Sequence, residues 1–130
     1  MTEIVRPTAS MVSVLIVDDQ LPFRTVARTV VDMAPGFTVV AEAGSGEEAV
    51  AAVDRWRPDL VLMDINLPGI SGIEATRRVL ASAGSTRVVL LSTYPEVDLP
   101  GDARTCGASA YVHKEDLAPL LLRELWTAAH

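Results

Sequence analysis

The sequence predicts a single α/β domain in which a parallel sheet carries helices on both faces. Short apolar runs rich in Val, Ile and Leu alternate along the chain with longer stretches of helical period. The runs are almost continuously apolar, which is typical of strands that are covered on both faces. The chain has 130 residues, of which 49% are hydrophobic and 22% charged, and this suits one globular domain.

Five strands and five helical segments are predicted in alternation. The predicted strands are Val12 to Val17, Phe37 to Ala43, Asp59 to Met63, Arg87 to Leu91 and Ala110 to His113. The predicted helices are Pro22 to Met33, Gly46 to Trp56, Gly72 to Ser82, a weak one near Leu99 to Cys106, and Glu115 to Ala129. The weak helix is expected to be short or displaced, because Pro95, Pro100 and Gly101 fall where it would run.

The ends of the elements have local causes. Ser45 and Ser71 are predicted to cap the second and third helices, with Glu48 and Glu74 three residues further on. Residues 1–11 lack periodicity and are expected to form a flexible leader, so the domain itself should occupy residues 12–130.

Charge and composition exclude several classes of function. A net charge of −6 and an isoelectric point near 4.8 argue against direct nucleic-acid binding, which depends on clustered Lys and Arg. No apolar run approaches the roughly 18 residues of a membrane span, and the start of the chain does not resemble a signal peptide. The only cysteine, Cys106, cannot form an internal disulfide. We therefore expect a cytoplasmic protein with no membrane partner.

Polar residues follow four of the five predicted strands. The first strand ends in Asp18 and Asp19, the third in Asp64, the fourth in Ser92 and Thr93, and the fifth in Lys114. In an open α/β sheet the ligand site lies beyond the carboxyl ends of the strands, so these side chains should converge. The second strand ends in Ala43 and Gly44, and we expect it to contribute no polar group to this edge.

The convergent residues indicate phosphoryl chemistry. Three neighbouring carboxylates repel one another unless a cation neutralises them, and carboxylate ligands with room for phosphate favour Mg²⁺ over Ca²⁺. Lys114 and the hydroxyl group of Ser92 add a positive charge and a donor for an anionic group. Asp64 is the predicted acceptor, because it ends the central strand between the acidic pair and Ser92. Each residue alone has a simpler interpretation as a turn former, a helix cap or a surface residue, and only their coincidence at one edge is informative.

These motifs resemble the receiver domain of bacterial two-component response regulators from Val12 to about Ala129. The matching segments are Val-Leu-Ile-Val-Asp18-Asp19, Asp59-Leu-Val-Leu-Met-Asp64-Ile-Asn66-Leu-Pro68-Gly69-Ile-Ser-Gly72, Val-Val-Leu-Leu-Ser92-Thr93 and Gly107-Ala-Ser-Ala-Tyr111-Val-His-Lys114. The resemblance implies a doubly wound, flavodoxin-like, five-stranded parallel sheet with strand order 2-1-3-4-5. The segment 36–49 and the loop 67–72 are closest to the subfamily that usually carries a C-terminal helix-turn-helix domain, which is absent from this sequence.

Residue roles follow from the same resemblance. It implies that Asp64 accepts the phosphoryl group, and that Asp18, Asp19, Asp64 and the backbone carbonyl group of Asn66 bind Mg²⁺. Ser92 and Lys114 would stabilise the phosphoryl group, and Ser92 and Tyr111 would change position together as a switch. Gly69 and Gly72 would provide the tight turn after the acceptor.

The resemblance also implies partners. A sensor histidine kinase would be the phosphoryl donor, an unidentified protein would receive the output, and phosphorylation could produce a homodimer. The chain would be a stand-alone regulator or the receiver of a longer transcription factor. On this interpretation it is a signalling domain that catalyses only its own phosphotransfer and dephosphorylation.

The same residues argue against two other functions. A Mg²⁺-dependent phosphohydrolase usually needs a second aspartate two residues after the nucleophile as general acid, and Asn66 at that position cannot exchange a proton in this way. A missing acidic residue or lysine would indicate a receiver-like domain that works without phosphorylation. The acidic residues Asp18, Asp19 and Asp64 and the lysine Lys114 are all present.

Overall fold

The computed structural model describes residues 11–94 and 99–128. Residues 1–10 of the predicted leader, Pro95 and the last two residues lie outside this part of the chain. The strands are β1 (Val12–Val17), β2 (Phe37–Ala43), β3 (Leu60–Asp64), β4 (Arg87–Ser92) and β5 (Ala110–His113). The α-helices are α1 (Leu21–Asp32), α2 (Gly46–Trp56), α3 (Gly72–Ser82) and α4 (Pro119–Ala128), and 3₁₀ turns occupy Gly101–Arg104 and Lys114–Asp116.

The five strands form one parallel sheet in the order β2-β1-β3-β4-β5. This confirms the predicted fold class and strand order. The order places β3 at the centre of the sheet, with β1 and β4 beside it. The carboxyl ends of β1, β3, β4 and β5 therefore lie along one edge.

Two apolar cores cover the sheet, one on each face, because successive side chains of a strand point in opposite directions. Leu15 and Val17 belong to the core that includes the buried apolar side chains of α2 and α3. Val14 and Ile16 belong to the other core, which includes the buried residues of α1 and α4. All four of these β1 side chains are fully buried. None of the helices in the described ranges is long and apolar enough to cross a membrane.

The predicted helix caps are confirmed. The Ser45 hydroxyl oxygen accepts a hydrogen bond from the Glu48 amide at 3.1 Å, and the Ser71 hydroxyl oxygen accepts one from the Glu74 amide at 3.2 Å. Each cap satisfies an amide that has no partner within its own helix. These caps fix the points at which α2 and α3 begin, immediately beside the loops at the carboxyl edge of the sheet.

The helix that follows β5 begins later than the sequence predicted. The prediction placed its start at Glu115, but Lys114–Asp116 form a 3₁₀ turn and α4 begins at Pro119. Proline suits the first turn of a helix and disfavours helical geometry in the residue before it, here Ala118, so it sets the boundary. The fourth crossover agrees with the expectation of a short segment, since its described part contains the 3₁₀ turn Gly101–Arg104.

The boundaries of β3 and β4 also differ from the prediction by one residue. Asp59 precedes β3, and its carboxylate accepts hydrogen bonds from the amide and the hydroxyl group of Ser13 at 2.9 and 3.1 Å. β3 extends to Asp64, and β4 extends to Ser92. The predicted acceptor and the predicted switch hydroxyl are therefore the last residues of paired strands, held by the sheet itself.

Candidate functional site

An acidic turn follows β1 at the carboxyl edge of the sheet. Asp18 is 0% exposed, whereas Asp19 is exposed. One carboxylate oxygen of Asp18 accepts a hydrogen bond from the Gln20 amide at 2.8 Å, and the other accepts one from Lys114 Nζ at 2.5 Å. Asp18 is thus a buried charge with a fixed orientation, and Asp19 is the member of the pair that faces solvent.

Asp64 completes a cluster of three carboxylates. It is the last residue of β3 and is only 4% exposed. One ligand oxygen from each of Asp18, Asp19 and Asp64 lies within 4.8 Å of the others. The structure therefore brings together the three acidic residues that the sequence predicted to converge.

Lys114 contacts the two buried carboxylates of this cluster. Its Nζ atom is 3.5 Å from Asp64 Oδ1 as well as 2.5 Å from Asp18 Oδ2. The ammonium group also lies 4.5 Å from the centre of the Phe23 ring, a distance typical of a cation–π contact. Its side chain is largely buried, so its charge acts on the two carboxylates with little solvent screening.

The electrostatic balance of the cluster is unfavourable to ionised Asp64. Burial, and then the charge of Asp18, raise the pKa of the Asp64 carboxyl group from 3.8 to about 6, while Lys114 and the Asn66 amide act in the opposite direction. Three carboxylates face one ammonium group, so one further cation would relieve the repulsion. An oxygen-rich, incompletely neutralised donor set fits a hard divalent cation.

This pKa shift predicts a specific dependence of stability on pH. The folded state binds the Asp64 proton more tightly than the unfolded state does, so the free energy of unfolding should fall as pH rises from about 4 to about 6 and then level off. The shift corresponds to at most about 3 kcal/mol, of which about half should be lost between pH 5 and pH 7.5. Urea denaturation of the wild type and Asp64→Asn in EDTA would test this, because the variant should gain relative stability over that range. A stability difference that does not vary with pH would contradict it.

The remaining predicted residues lie at the same edge, on the β4 side. The Asn66 amide donates to Asp64 Oδ1 at 3.2 Å. Ser92 is 4% exposed, and its hydroxyl oxygen accepts a hydrogen bond from the Tyr94 amide at 2.9 Å. Ser92 and Asn66 line a common surface cavity, and Ser92 also shares a cavity of about 20 Å³ with Tyr111. Tyr111 itself is half-buried and packs against the core that contains α2 and α3.

The contacts of two side chains at this edge, Arg24 and His113, were not predicted from the sequence. Arg24 of α1 donates from Nη1 to the main-chain oxygen of Asp18 at 2.6 Å, and from Nε to Glu42 at 3.1 Å. The expectation that β2 contributes no polar group is therefore wrong, since Glu42 lies one residue before the end of β2. His113 Nδ1 accepts from the Glu115 amide at 3.2 Å, so its Nε2 donates to the Thr93 oxygen at 2.9 Å. The only signal in the sequence for Arg24 is its position in the turn of helix that follows the acidic pair.

Comparison with known proteins agrees with this geometry. A family model described as the response regulator receiver domain matches residues 14–125. The transcriptional regulatory protein DegU of Brevibacillus brevis is 35% identical over 118 residues, covering 91% of this chain and 50% of DegU. The response regulator UvrY of Escherichia coli (strain K12) is 38% identical over 104 residues, covering 80% of this chain and 48% of UvrY. The chain thus spans about half the length of these curated relatives.

Solved structures give the same result. A LuxR-family two-component response regulator from Aurantimonas sp. SI85-9A1 is similar with a TM-score of 0.82 and 35% identity, covering 92% of this chain and 85% of that one. The response regulator domain of Thermotoga maritima CheB is similar with a TM-score of 0.78 and 30% identity, and the match covers 91% of this chain and 96% of the CheB domain. The sheet order, the acidic edge and these matches lead to one conclusion: the chain belongs to the response regulator receiver domain family.

Proposed function

We propose that this domain receives a phosphoryl group on Asp64 and acts as a switch in two-component signal transduction in the cytoplasm. The observation that carries the proposal is the position of Asp64. It is buried at the end of the central strand, grouped with two other carboxylates and 3.5 Å from the Lys114 ammonium group. A nucleophilic carboxylate, a fixed cation and an anionic pocket for a divalent metal are the components that phosphoryl transfer requires.

Four residues would hold Mg²⁺ in this site: Asp18, Asp19 and Asp64 through their carboxylates, and Asn66 through its backbone carbonyl group. When bound, the ion would neutralise charge on the transferring phosphoryl oxygens and orient them. The donor set supports this, because its oxygen ligands carry more negative charge than Lys114 alone can balance.

In the proposed reaction an Asp64 carboxylate oxygen attacks the phosphorus atom of a phosphohistidine on a sensor histidine kinase. The new bond is O–P, the N–P bond breaks, and its electron pair stays on that nitrogen of the donor. The donor ring carries a proton on its other nitrogen, so it leaves as neutral imidazole. Lys114 supplies positive charge to the phosphoryl oxygens, and the Ser92 hydroxyl group can donate a hydrogen bond to one of them. Positioning and charge neutralisation would be the main contributions of this domain, and the step needs no further acid or base from its side chains.

Incubation with acetyl phosphate tests the proposal without knowledge of the kinase. In the presence of Mg²⁺ the intact mass should increase by one phosphoryl group. When EDTA is included from the start, the protein should gain no mass. Tandem mass spectrometry after borohydride reduction would locate the acyl phosphate. A protein that gains no mass with any Mg²⁺ concentration would overturn the proposal.

The output is expected to pass through Ser92 and Tyr111. If Ser92 turns toward the phosphoryl group, Tyr111 can enter the space that both residues line. Hydrogen exchange with and without beryllofluoride, which mimics the phosphoryl group, should therefore change most between residues 92 and 107. Changes confined to the surroundings of Asp64, with none from 92 to 114, would contradict this route.

The output partner would be a separate protein, a second copy of the domain after phosphorylation, or an attached domain in a longer transcription factor. DegU is named as a transcriptional regulatory protein, and this chain covers half of it. That relation supports a role in transcriptional control, with this receiver as the part that senses phosphorylation.

A further inference from the structure

Arg24 joins three elements behind the acidic turn. It lies in the first turns of α1, and its side chain is 20% exposed. Nη1 donates to the main-chain oxygen of Asp18 at 2.6 Å, and Nε donates to Glu42 Oε1 on β2 at 3.1 Å. Arg28 binds the second oxygen of Glu42 at 2.8 Å. One guanidinium group thus connects the end of β1, the start of α1 and the end of β2.

The bond to Asp18 acts on the peptide group between the two acidic residues. A peptide group is planar, so holding its oxygen also holds the Cα atoms of Asp18 and Asp19, which lie in the same plane. Asp18 is also held by its amide, which donates to the Ala43 oxygen at 3.0 Å, and by both carboxylate oxygens. Asp19 is exposed, and its carboxylate accepts a 3.3 Å hydrogen bond from the adjacent Gln20 side chain, which is itself on the surface. The orientation of Asp19 therefore depends strongly on this peptide group.

From this geometry we propose that Arg24 is a positioning residue for the metal-binding acidic pair, and that Glu42 holds Arg24 in that role. Arg24 acts through the main chain of Asp18 and does not itself contact the reacting atoms. The inference rests on the proposed function, since it concerns the same site.

Two effects of Arg24 on Mg²⁺ binding have opposite signs. As a positive charge near an anionic site, Arg24 should weaken binding of a cation, and its removal should strengthen binding. As a positioning group, it should strengthen binding, and its removal should weaken it. The removal of one charge is partly screened by solvent, because Asp19 is exposed, whereas the 2.6 Å bond to the Asp18 oxygen is lost completely. We therefore expect the positioning effect to dominate. The sign of the change in Mg²⁺ affinity therefore distinguishes the two roles.

The test measures the Mg²⁺ dissociation constant of the whole chain by calorimetry or by NMR amide shifts. Arg24→Met should weaken binding by about tenfold, as is typical when a group that orients a metal ligand is removed. Arg24→Lys keeps the charge but cannot make both bonds in the geometry of a guanidinium group, so it should recover only part of the affinity. Arg28→Met is the matched control, because Arg28 lies on the same helix and its guanidinium group binds the same Glu42 carboxylate. Arg28→Met should leave the affinity for Mg²⁺ unchanged or raise it slightly.

Each outcome is decisive. Unchanged or tighter Mg²⁺ binding by Arg24→Met and Arg24→Lys would overturn the proposal and leave Arg24 as a surface charge. Equal weakening by Arg28→Met would overturn it too, because the effect would then be general to α1. If Arg24→Met does not fold, as judged by its amide spectrum, Arg24→Lys carries the test. Phosphorylation of the wild type by acetyl phosphate is measured in parallel. If the wild type is not phosphorylated, the proposed function is contradicted. If it is phosphorylated but the Arg24 variants bind Mg²⁺ as the wild type does, only this inference is contradicted.

Discussion

Replacing Asp64 with asparagine is expected to reduce phosphoryl incorporation from acetyl phosphate to background, a loss of at least about a hundredfold. The amide oxygen is a poor nucleophile, and the substitution also removes one of the three charges that would bind Mg²⁺. The shape of the side chain is nearly unchanged, so the packing at the end of β3 should be retained. The measurement is the rate of mass increase of the intact protein at a fixed Mg²⁺ concentration.

Asp59→Asn provides a matched control for this experiment. Asp59 stands at the opposite end of the same strand, where its carboxylate binds Ser13. Its substitution should leave phosphorylation close to the wild-type rate. Asp64→Asn should also be no less stable than the wild type near neutral pH, because burial and Asp18 disfavour the ionised carboxylate there. Phosphorylation of Asp64→Asn at the wild-type rate would show that another residue is the acceptor.

Much of the fold could be predicted because its determinants are local. The runs that form β1 to β5 are predominantly apolar, and Ser45 and Ser71 lie directly at the helix starts that they cap. The start of α4 could not be predicted in the same way, since Glu115 has good helix propensity and Pro119 limits the helix only through its own backbone geometry. Local propensity and a backbone constraint were in competition there, and the constraint determined the boundary.

The site was predictable to the extent that strand ends determine it. In a parallel sheet the residues that end adjacent strands must lie at one edge, so the meeting of Asp18, Asp64 and Lys114 follows from topology. The contact of Arg24 with Asp18 does not follow from topology, because its acceptor is a main-chain oxygen and its direction depends on how α1 packs. No residue pattern encodes such a bond. The convergence of the acidic side chains and Lys114 was therefore predicted, whereas the bond from Arg24 to the Asp18 main chain could be found only in the structure.

Gly72 illustrates the same distinction, because the reason for a glycine there differs from the one expected. The sequence suggested a tight turn, and Gly69 does have a positive φ of +74°. Gly72, however, is the first residue of α3, and its amide donates to the Ile65 oxygen at 2.8 Å. A Cβ atom at Gly72 would clash directly with the main-chain oxygen of Asp64. The glycine is required by the close approach of α3 to the backbone of the proposed acceptor.

Gly72→Ala is therefore expected to destabilise the domain by about 3 kcal/mol or more, toward the upper end of overpacking effects, because the added methyl group would meet the main chain of both Asp64 and Ile65. Urea denaturation would measure the change. Gly101→Ala is the control, since a Cβ atom there meets nothing within 4 Å, and its effect should stay within about 0.5 kcal/mol. To remove the clash, either α3 or the Asp64 peptide group must move, so any folded Gly72→Ala protein should also be phosphorylated more slowly. Wild-type stability together with a wild-type phosphorylation rate would show that this contact does not constrain Asp64.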